Sequence, residues 1–339
     1  MALRLVEIRV DKDHFDRLAP ILDDGHVVDH WPVGATDGFA THRALVRTES
    51  VEALTDALAD RFEADDGFRV VLLSVEATLP KVEETDKKDD EAGDDDPDRG
   101  WGRVSREELL QELETAARVD PVYLAGVALS TVVAAVGLIR GDVAVIIGAM
   151  VIAPLLGPNV ALSLAVTLGD LDFGRRALVA AASGALVALG LSVLVGWFFP
   201  VDPTVAELAA RTNVGLSDVA LALAAGSAGA LAFTSGLPTT VIGVMVAVAL
   251  LPPLVATGLL AGQGLTTDAL AAATLVATNV TCVNLAGVAT FLVRRVGPRD
   301  WWEAERARRA SRIAIGLWVA LLLALVALIL FAWSDPPTG

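Results

Sequence analysis

Six polar side chains sit together in one apolar stretch of the sequence. Thr274, Thr278, Thr281, Cys282 and Asn284 share a broad face at helical spacing, with Asn279 beside it. Hydroxyl and amide oxygens so placed can coordinate an ion or a polar solute. The same groups can hydrogen-bond between helices, at ~0.6–2 kcal/mol per bond inside a membrane, and both readings stay open. A second set of residues acts through the backbone. Pro154 and Pro158 interrupt one apolar stretch, and Pro252 and Pro253 another. A proline inside a helix removes a donor and clashes with the preceding turn. The freed carbonyls are tolerated in lipid only against protein or a wet cavity. Two such broken helices would bring carbonyls together near the bilayer midplane. The expected substrate path therefore comprises Gly148, Pro154, Gly157, Pro158, Asn159, Gly243, Pro252, Pro253, Thr278, Asn279, Thr281 and Asn284. Gly148 and Gly243 are expected to permit close approach there.

What is missing from these stretches narrows the chemistry. Their interiors hold no Asp, Glu, Lys or His; Asp142, Asp170, Asp218 and Asp268 stand at their ends. A proton-coupled carrier needs a buried titratable group, so the pattern favours a passive or weakly coupled path, or no transport. No nucleophile, metal or phosphate-loop constellation occurs, so neither an enzyme nor a cofactor is expected. Cys282 is the lone cysteine and reads as a small buried hydrophobe. His14, His26, His30 and His42 cluster early in the chain, but their spacing matches no zinc motif and they read as surface or strand-edge side chains rather than a metal site.

The elements that must position these groups follow from hydropathy. Of 339 residues 54% are apolar, above the ~45–50% of soluble domains, and the excess begins at Pro121. A span needs ~20 mostly apolar residues. Seven are expected: Val122–Ile139, Val143–Leu168, Ala177–Phe199, Val219–Phe233, Thr239–Leu260, Leu270–Val293 and Ile313–Trp333. The run Ile146–Pro158 matches Val241–Pro253 without gaps, with Ile147/Ile242, Gly148/Gly243, Met150/Met245, Val151/Val246, Leu155/Leu250, Leu156/Leu251 and Pro158/Pro253 identical. The same register pairs Gly141 with Gly236. Spans one to three (121–199) thus repeat as spans four to six (217–293), and an odd number of spans inserts the second copy upside down, an inverted repeat.

Arginines set the expected orientation. Arg294, Arg295, Arg299, Arg306, Arg308, Arg309 and Arg312 lie between the last two spans, and Arg175 and Arg176 between the second and third. The positive-inside rule places these in the cytoplasm, with the N-terminus inside and the C-terminus outside. The basic segment 294–312 reads as interfacial, with Arg299, Trp301, Trp302, Arg306, Arg308, Arg309 and Arg312 at lipid headgroups.

Before the spans, residues 1–82 read as a cytoplasmic α+β domain of order β-α-β-β-α-β, the ferredoxin-like split motif. Its strands are 3–10, 27–33, 40–46 and 68–77; its helices are 14–22 and 51–62. Residues 83–103 form an acidic tether without the apolar content to order itself. Residues 104–120 form a juxtamembrane amphipathic helix opened by a Ser105/Glu108 capping box. The net charge of −16 and the scarcity of lysine fit a high-salt cytoplasm and disfavour nucleic acid as a partner.

At Ile146–Asp170 and Ala225–Pro253, with Thr278-Asn279, the chain resembles the hydrophobic membrane proteins grouped as domain of unknown function three-eight-nine, and its N-terminal domain looks like that of the archaeal branch. The resemblance covers most of Val104–Val296 and implies a membrane protein with a cytoplasmic N-terminal domain, and no particular activity. The fold expected is mainly α: a polytopic helical membrane bundle built on an inverted three-span repeat plus one extra span, with the α+β domain in front. The function expected is a channel or transporter for a small ion or polar solute, tuned by the cytoplasmic domain. The alternative is a non-transporting sensor or scaffold whose N-terminal domain binds a ligand or partner. The lipid bilayer is the expected partner, with a second copy of the chain a further candidate.

Overall fold

A computed structural model describes residues 3–23, 27–36, 38–63, 65–75, 78, 104–235, 239–297 and 301–334, with the backbone alone at 49, 239–248, 301–311 and 332–334. The tether at 83–103, His26, Gly236 and Arg299 lie outside the described residues. The chain divides into two compact units, Met1–Leu109 and Leu110–Gly339.

The first unit is a small antiparallel sheet under helices. Its strands are β1 (Leu3–Asp11), β2 (Val27–Thr36), β3 (Phe39–Arg47) and β4 (Arg69–Val75), in the order β2-β3-β1-β4. Alternation in β1 puts Val6, Ile8 and Val10 on one face, beside Ala44 and Val46 of β3. The helix α2 (Val51–Phe62) covers that face with Val51, Leu54, Leu58 and Phe62, each at helical spacing and buried. The helix expected at 14–22 is instead a 3₁₀ turn (Lys12–Arg17) followed by the single-turn α1 (Ala19–Leu22). Pro20 explains the split, because its missing N–H fits only the first turn of a helix. His14 pairs with Asp65 at 2.6 Å, His30 lies 3.3 Å from Asp23, and His42 packs its ring on Phe15 and His30. Burial, then the nearness of His30, lowers the pKa of His42.

The helix α3 (Arg106–Ala116) begins in the first unit. Ser105 caps it by accepting from the Glu108 N–H at 3.3 Å. The reciprocal half of the expected capping box is absent, because Arg4 donates to the Glu108 carboxylate at 3.0 and 3.3 Å. An ion pair competes better for a carboxylate than a neutral backbone amide does. Arg106 donates to Asp56 of α2 at 2.9 Å.

The second unit is helical: α4 (Pro121–Arg140), α5 (Val143–Ile152), α6 (Leu156–Leu168), α7 (Leu171–Phe198), the short α8 (Ala206–Ala209), α9 (Leu216–Thr234), α10 (Thr239–Gly262), α11 (Thr266–Val293) and α12 (Trp301–Ser334). Four carboxylates at the starts of apolar helices satisfy backbone donors there. Asp120, Asp142 and Asp170 accept from backbone N–H groups at the starts of α4, α5 and α7, and Asp218 accepts from Gly215 N–H at the start of α9. Such caps satisfy donors that a helix leaves orphaned. Gly141 and Gly169 end α4 and α6 in the left-handed conformation, with φ of 64° and 72°, where a Cβ would be strained.

Five helices are long and apolar enough to cross a membrane among the described residues: α4, α7, α9, α11 and the Arg312–Phe331 part of α12. The pair α5 and α6 passes the same test together, bent by 52°, making up to six. The stretch expected as a fifth span lies in α10, a 24-residue helix whose described side chains form the apolar segment Ala249–Gly262. The segment expected to lie flat at the interface is the start of α12, which runs unbroken into the last apolar stretch. No glycine or proline separates the two, since the first after Trp301 is Gly316. Within the unit α4 packs on α5, α7 and α10; α6 on α7 and α11; α7 on α10; α9 on α10 and α11; and α11 on α10 and α12.

Candidate functional site

The two proline-bearing stretches behave differently. Ala153 precedes Pro154 and takes an extended conformation, φ −70° and ψ 118°, which ends α5. Proline disfavours the helical region for the residue before it. The chain restarts as α6 one turn on, and Pro158 sits in its first turn, where no N–H is required. This break was expected. Its partner was not found: α10 carries Pro252 and Pro253 inside a continuous helix. The aligned runs hold the reason. Pro158 matches Pro253, so Pro154 matches Ala249 and Pro252 matches Gly157. The second copy lacks the proline at the breaking position.

Continuity leaves two carbonyls of α10 without their helical donors. Pro252 cannot donate to Val248 C=O, nor Pro253 to Ala249 C=O. Both prolines are buried. Asn279 of α11 meets one of them: its Nδ2 donates to Ala249 O at 2.6 Å in the buried interior. The Oδ1 of the same side chain has no hydrogen-bond partner among the described residues, although Asn279 is only 5% exposed. Around it Val276 and Val280 pack on an apolar cluster that includes Met150, Leu250, Leu251 and Leu254.

A separate buried network joins α6 to α11. Asn159 donates from Nδ2 to Leu155 O at 2.9 Å, the carbonyl that opens α6. Asn284 donates to Val280 O at 2.9 Å and to Asn159 Oδ1 at 3.3 Å. Ser163 lies within 3.1 Å of Asn159 O and 3.3 Å of Asn284 O and Oδ1. Thr274, Thr278 and Thr281 each bond the carbonyl one turn back, to Leu270, Thr274 and Ala277. Their hydroxyl protons are thus committed to α11 itself, a common fate of threonine in helices.

The expected path residues are therefore divided. Pro158, Asn159 and Asn284 gather at the α6–α11 join, with Gly157 of α6 against Ala116 of α3. Asn279 meets the carbonyl of Ala249, which Pro253 leaves without a helical donor, at the α10–α11 join. Gly148 corrects an expectation: it is exposed, and a Cβ there would meet nothing within 4 Å, so it serves no close approach. Gly243 lies in α10, and its surroundings fall outside the described residues, as do the side chains of Trp301, Trp302, Arg306, Arg308 and Arg309; Arg312 is exposed.

Close approach occurs elsewhere. Gly196 of α7 lies on the backbone of Leu259, and Gly262 of α10 on that of Gly196 and Trp197, where an added Cβ would come within 2.9 Å. Gln263 donates from Nε2 to Gly196 O, and to Phe199 O at 2.8 Å. Sequence reasoning missed Ser163, Ser192 and Gln263. The repeat register was the available signal: it pairs Ser163 with Gly258 and Ser192 with Gly287, and each glycine packs on the serine of the other pair.

The family model for the domain of unknown function 389 (DUF389) matches residues 150–285, which includes the α5–α6 break, α10 and the polar part of α11. The chain is 32% identical to the uncharacterized protein MJ0678 of Methanocaldococcus jannaschii over 332 residues, covering 98% of this chain and 100% of that protein. No solved structure matches the chain significantly.

Proposed function

We propose, from the premise that this chain belongs to the DUF389 family, that it is a multi-pass protein of the cell membrane whose helical unit forms a channel or transporter for a small ion or polar solute. One observation carries this reading. A helix breaks at Ala153–Leu155, and at the register position of Pro154 the carbonyl of Ala249, freed by Pro253, is buried against Asn279 of α11. In a bilayer such irregular backbone is tolerated where it lines a cavity or is buried in protein. Purified protein reconstituted in liposomes should pass at least one member of a panel of ions and small polar solutes, and Pro158→Ala should reduce that flux. Silence across the panel from correctly inserted protein would overturn the reading.

The inverted repeat belongs to the same proposal. The register is a shift of 95 positions (253 − 158). It carries Leu171–Phe198 onto Thr266–Val293, both 28 residues, and it carries the Gly258–Ser192 contact onto Ser163–Gly287. The packing of α7 on α10 then corresponds to that of α11 on α6, which a pseudo-twofold axis requires. The strand order β2-β3-β1-β4 supports the ferredoxin-like reading of the N-terminal unit. With the loop arginines, we place that unit in the cytoplasm, where it tunes the path, and the C-terminus outside. The basic start of α12 then meets anionic headgroups, the acidic composition fits a halophilic source, and neither catalysis nor nucleic-acid binding is assigned.

A second reading has one observation in its favour. The hydroxyls of Thr274, Thr278 and Thr281 are spent on their own helix. A closed bundle of that kind suits a sensor or scaffold in which the N-terminal unit binds a ligand or partner.

A further inference from the structure

The acceptor left open on Asn279 has a direction and a chemistry. Its amide cannot be turned round, because Ala249 O is an acceptor and only Nδ2 can satisfy it. Oδ1 therefore stays a lone-pair site inside the bundle, and an unpaired buried acceptor costs ~1–3 kcal/mol. Nearby donors are already used. Thr278 donates to Thr274 O, Thr281 to Ala277 O, and Asn284 to Val280 O and Asn159 Oδ1. The carbonyl of Val248, one residue before Ala249, has lost its own helical donor to Pro252. The place thus offers oxygen lone pairs and no proton.

We propose that Asn279 Oδ1 and the proline-freed carbonyls of α10 form a binding site for a partly dehydrated monovalent cation. An anion would meet only acceptors. Divalent cations are ordinarily held through carboxylates, and the apolar stretches contain none in their interiors. Neutral carbonyl and amide oxygens suit a monovalent ion, as in carbonyl-lined filters. This deepens the permeation reading by naming the substrate class, and it rests on that reading only for where the ion goes next.

The test uses full-length protein in lipid nanodiscs and measures equilibrium binding of radiolabelled sodium and rubidium at constant ionic strength. Asn279→Leu alone would also strip Ala249 O of its donor. It is therefore made in a Pro253→Ala background, where the restored N–H of residue 253 satisfies that carbonyl and keeps α10 intact. Saturable binding of sodium or rubidium is expected in the wild type and, more weakly because residue 253 then occupies the Ala249 carbonyl, in Pro253→Ala, with a further loss of at least about tenfold in affinity in the double variant. Calcium and chloride should not bind saturably. Absence of saturable sodium and rubidium binding in the wild type would overturn the site, leaving Oδ1 to a bound water, and so would undiminished affinity in a folded double variant. Liposome flux separates the two claims. Binding without flux keeps the site and removes the permeation reading. Flux without binding removes the site and keeps the path.

Discussion

The α6–α11 and α7–α10 joins each bring a glycine onto a serine, Gly287 onto Ser163 in one and Gly258 onto Ser192 in the other. Around that shared contact they diverge. The positions of Asn159 and Asn284 in the first correspond, in the repeat register, to Leu254 and Leu189 in the second, and Thr167 corresponds to Gly262. One join is held midway by buried side-chain hydrogen bonds; the other relies there on close backbone approach at Gly196, Gly258 and Gly262, and has the Gln263 hydrogen bonds only at its end. In lipid no hydrophobic drive favours one helix pair over another, so packing and hydrogen bonds must supply the association. The two joins weight them differently. A join made of packing should fail when volume is added, and a join made of hydrogen bonds when one partner is removed.

The largest effect is expected at Gly262→Ala. The new Cβ would strike the backbone of Gly196 and Trp197, which cannot rotate aside. Unfolding in mixed micelles should show a loss of ~3 kcal/mol or failure to fold, as severe overpacking does. A variant as stable as the wild type would break the comparison. Gly258→Ser should be nearly as harmful, and Ser192→Gly in the same chain should recover most of the loss, because the pair then carries the arrangement seen at Ser163 and Gly287.

The next effect is at the polar join. Asn284→Leu leaves the buried Asn159 Oδ1 without its donor and should cost ~1–3 kcal/mol. Adding Asn159→Leu should bring stability back to within about 1 kcal/mol of the wild type, since removing both partners is far cheaper than removing one. The double variant imitates Leu254 and Leu189. If it is worse than the single variant, the two joins are not interchangeable.

The smallest effect concerns pH. All four histidines, His14, His26, His30 and His42, belong to the first unit, so sensitivity just below neutral pH should arise there. The pKa of His42 is lowered in the folded state, by burial first and by His30 second. The unfolded chain then binds the extra proton more readily. Stability is present above the unfolded value of ~6.5 and falls as pH drops toward the folded one. Amide exchange in β1 and β3 of the full chain should quicken as pH falls through that window, after correction for intrinsic rates. His42→Gln should flatten the dependence while exchange in α7 and α10 stays unchanged.

Much of the fold was legible because its signals are local. The stripe Val51, Leu54, Leu58, Phe62 and the alternation of Val6, Ile8, Val10 specify buried faces directly. The cap at Asp120-Pro121 and the break at Pro154 are single-residue rules. The site was less legible, for two physical reasons. Hydroxyl groups such as that of Thr278 can satisfy themselves one turn back, so their presence on a face does not say that they point at a ligand. The Asn159–Asn284 bond joins residues 125 apart in sequence, and no local pattern announces it. The misjudged break in α10 is different, since the aligned runs already placed Ala249 where Pro154 stands. Helix breaking here depends on which residue is forced to be extended, and counting prolines does not reveal that.

Gln263 has a consequence for motion. Its amide clasps Gly196 O and Phe199 O at the end of α7, while Gly262 beside it fits against the same turn. A one-turn slide of α10 along α7, about 5.4 Å, would break both bonds and lift the glycine out of its seat. These two helices therefore travel as one rigid body. Any rearrangement of the bundle must bend or shear at other places, and the break between α5 and α6, where Ala153 is already extended and Pro154 has no N–H to bond, is a place where a bend costs little helical bonding.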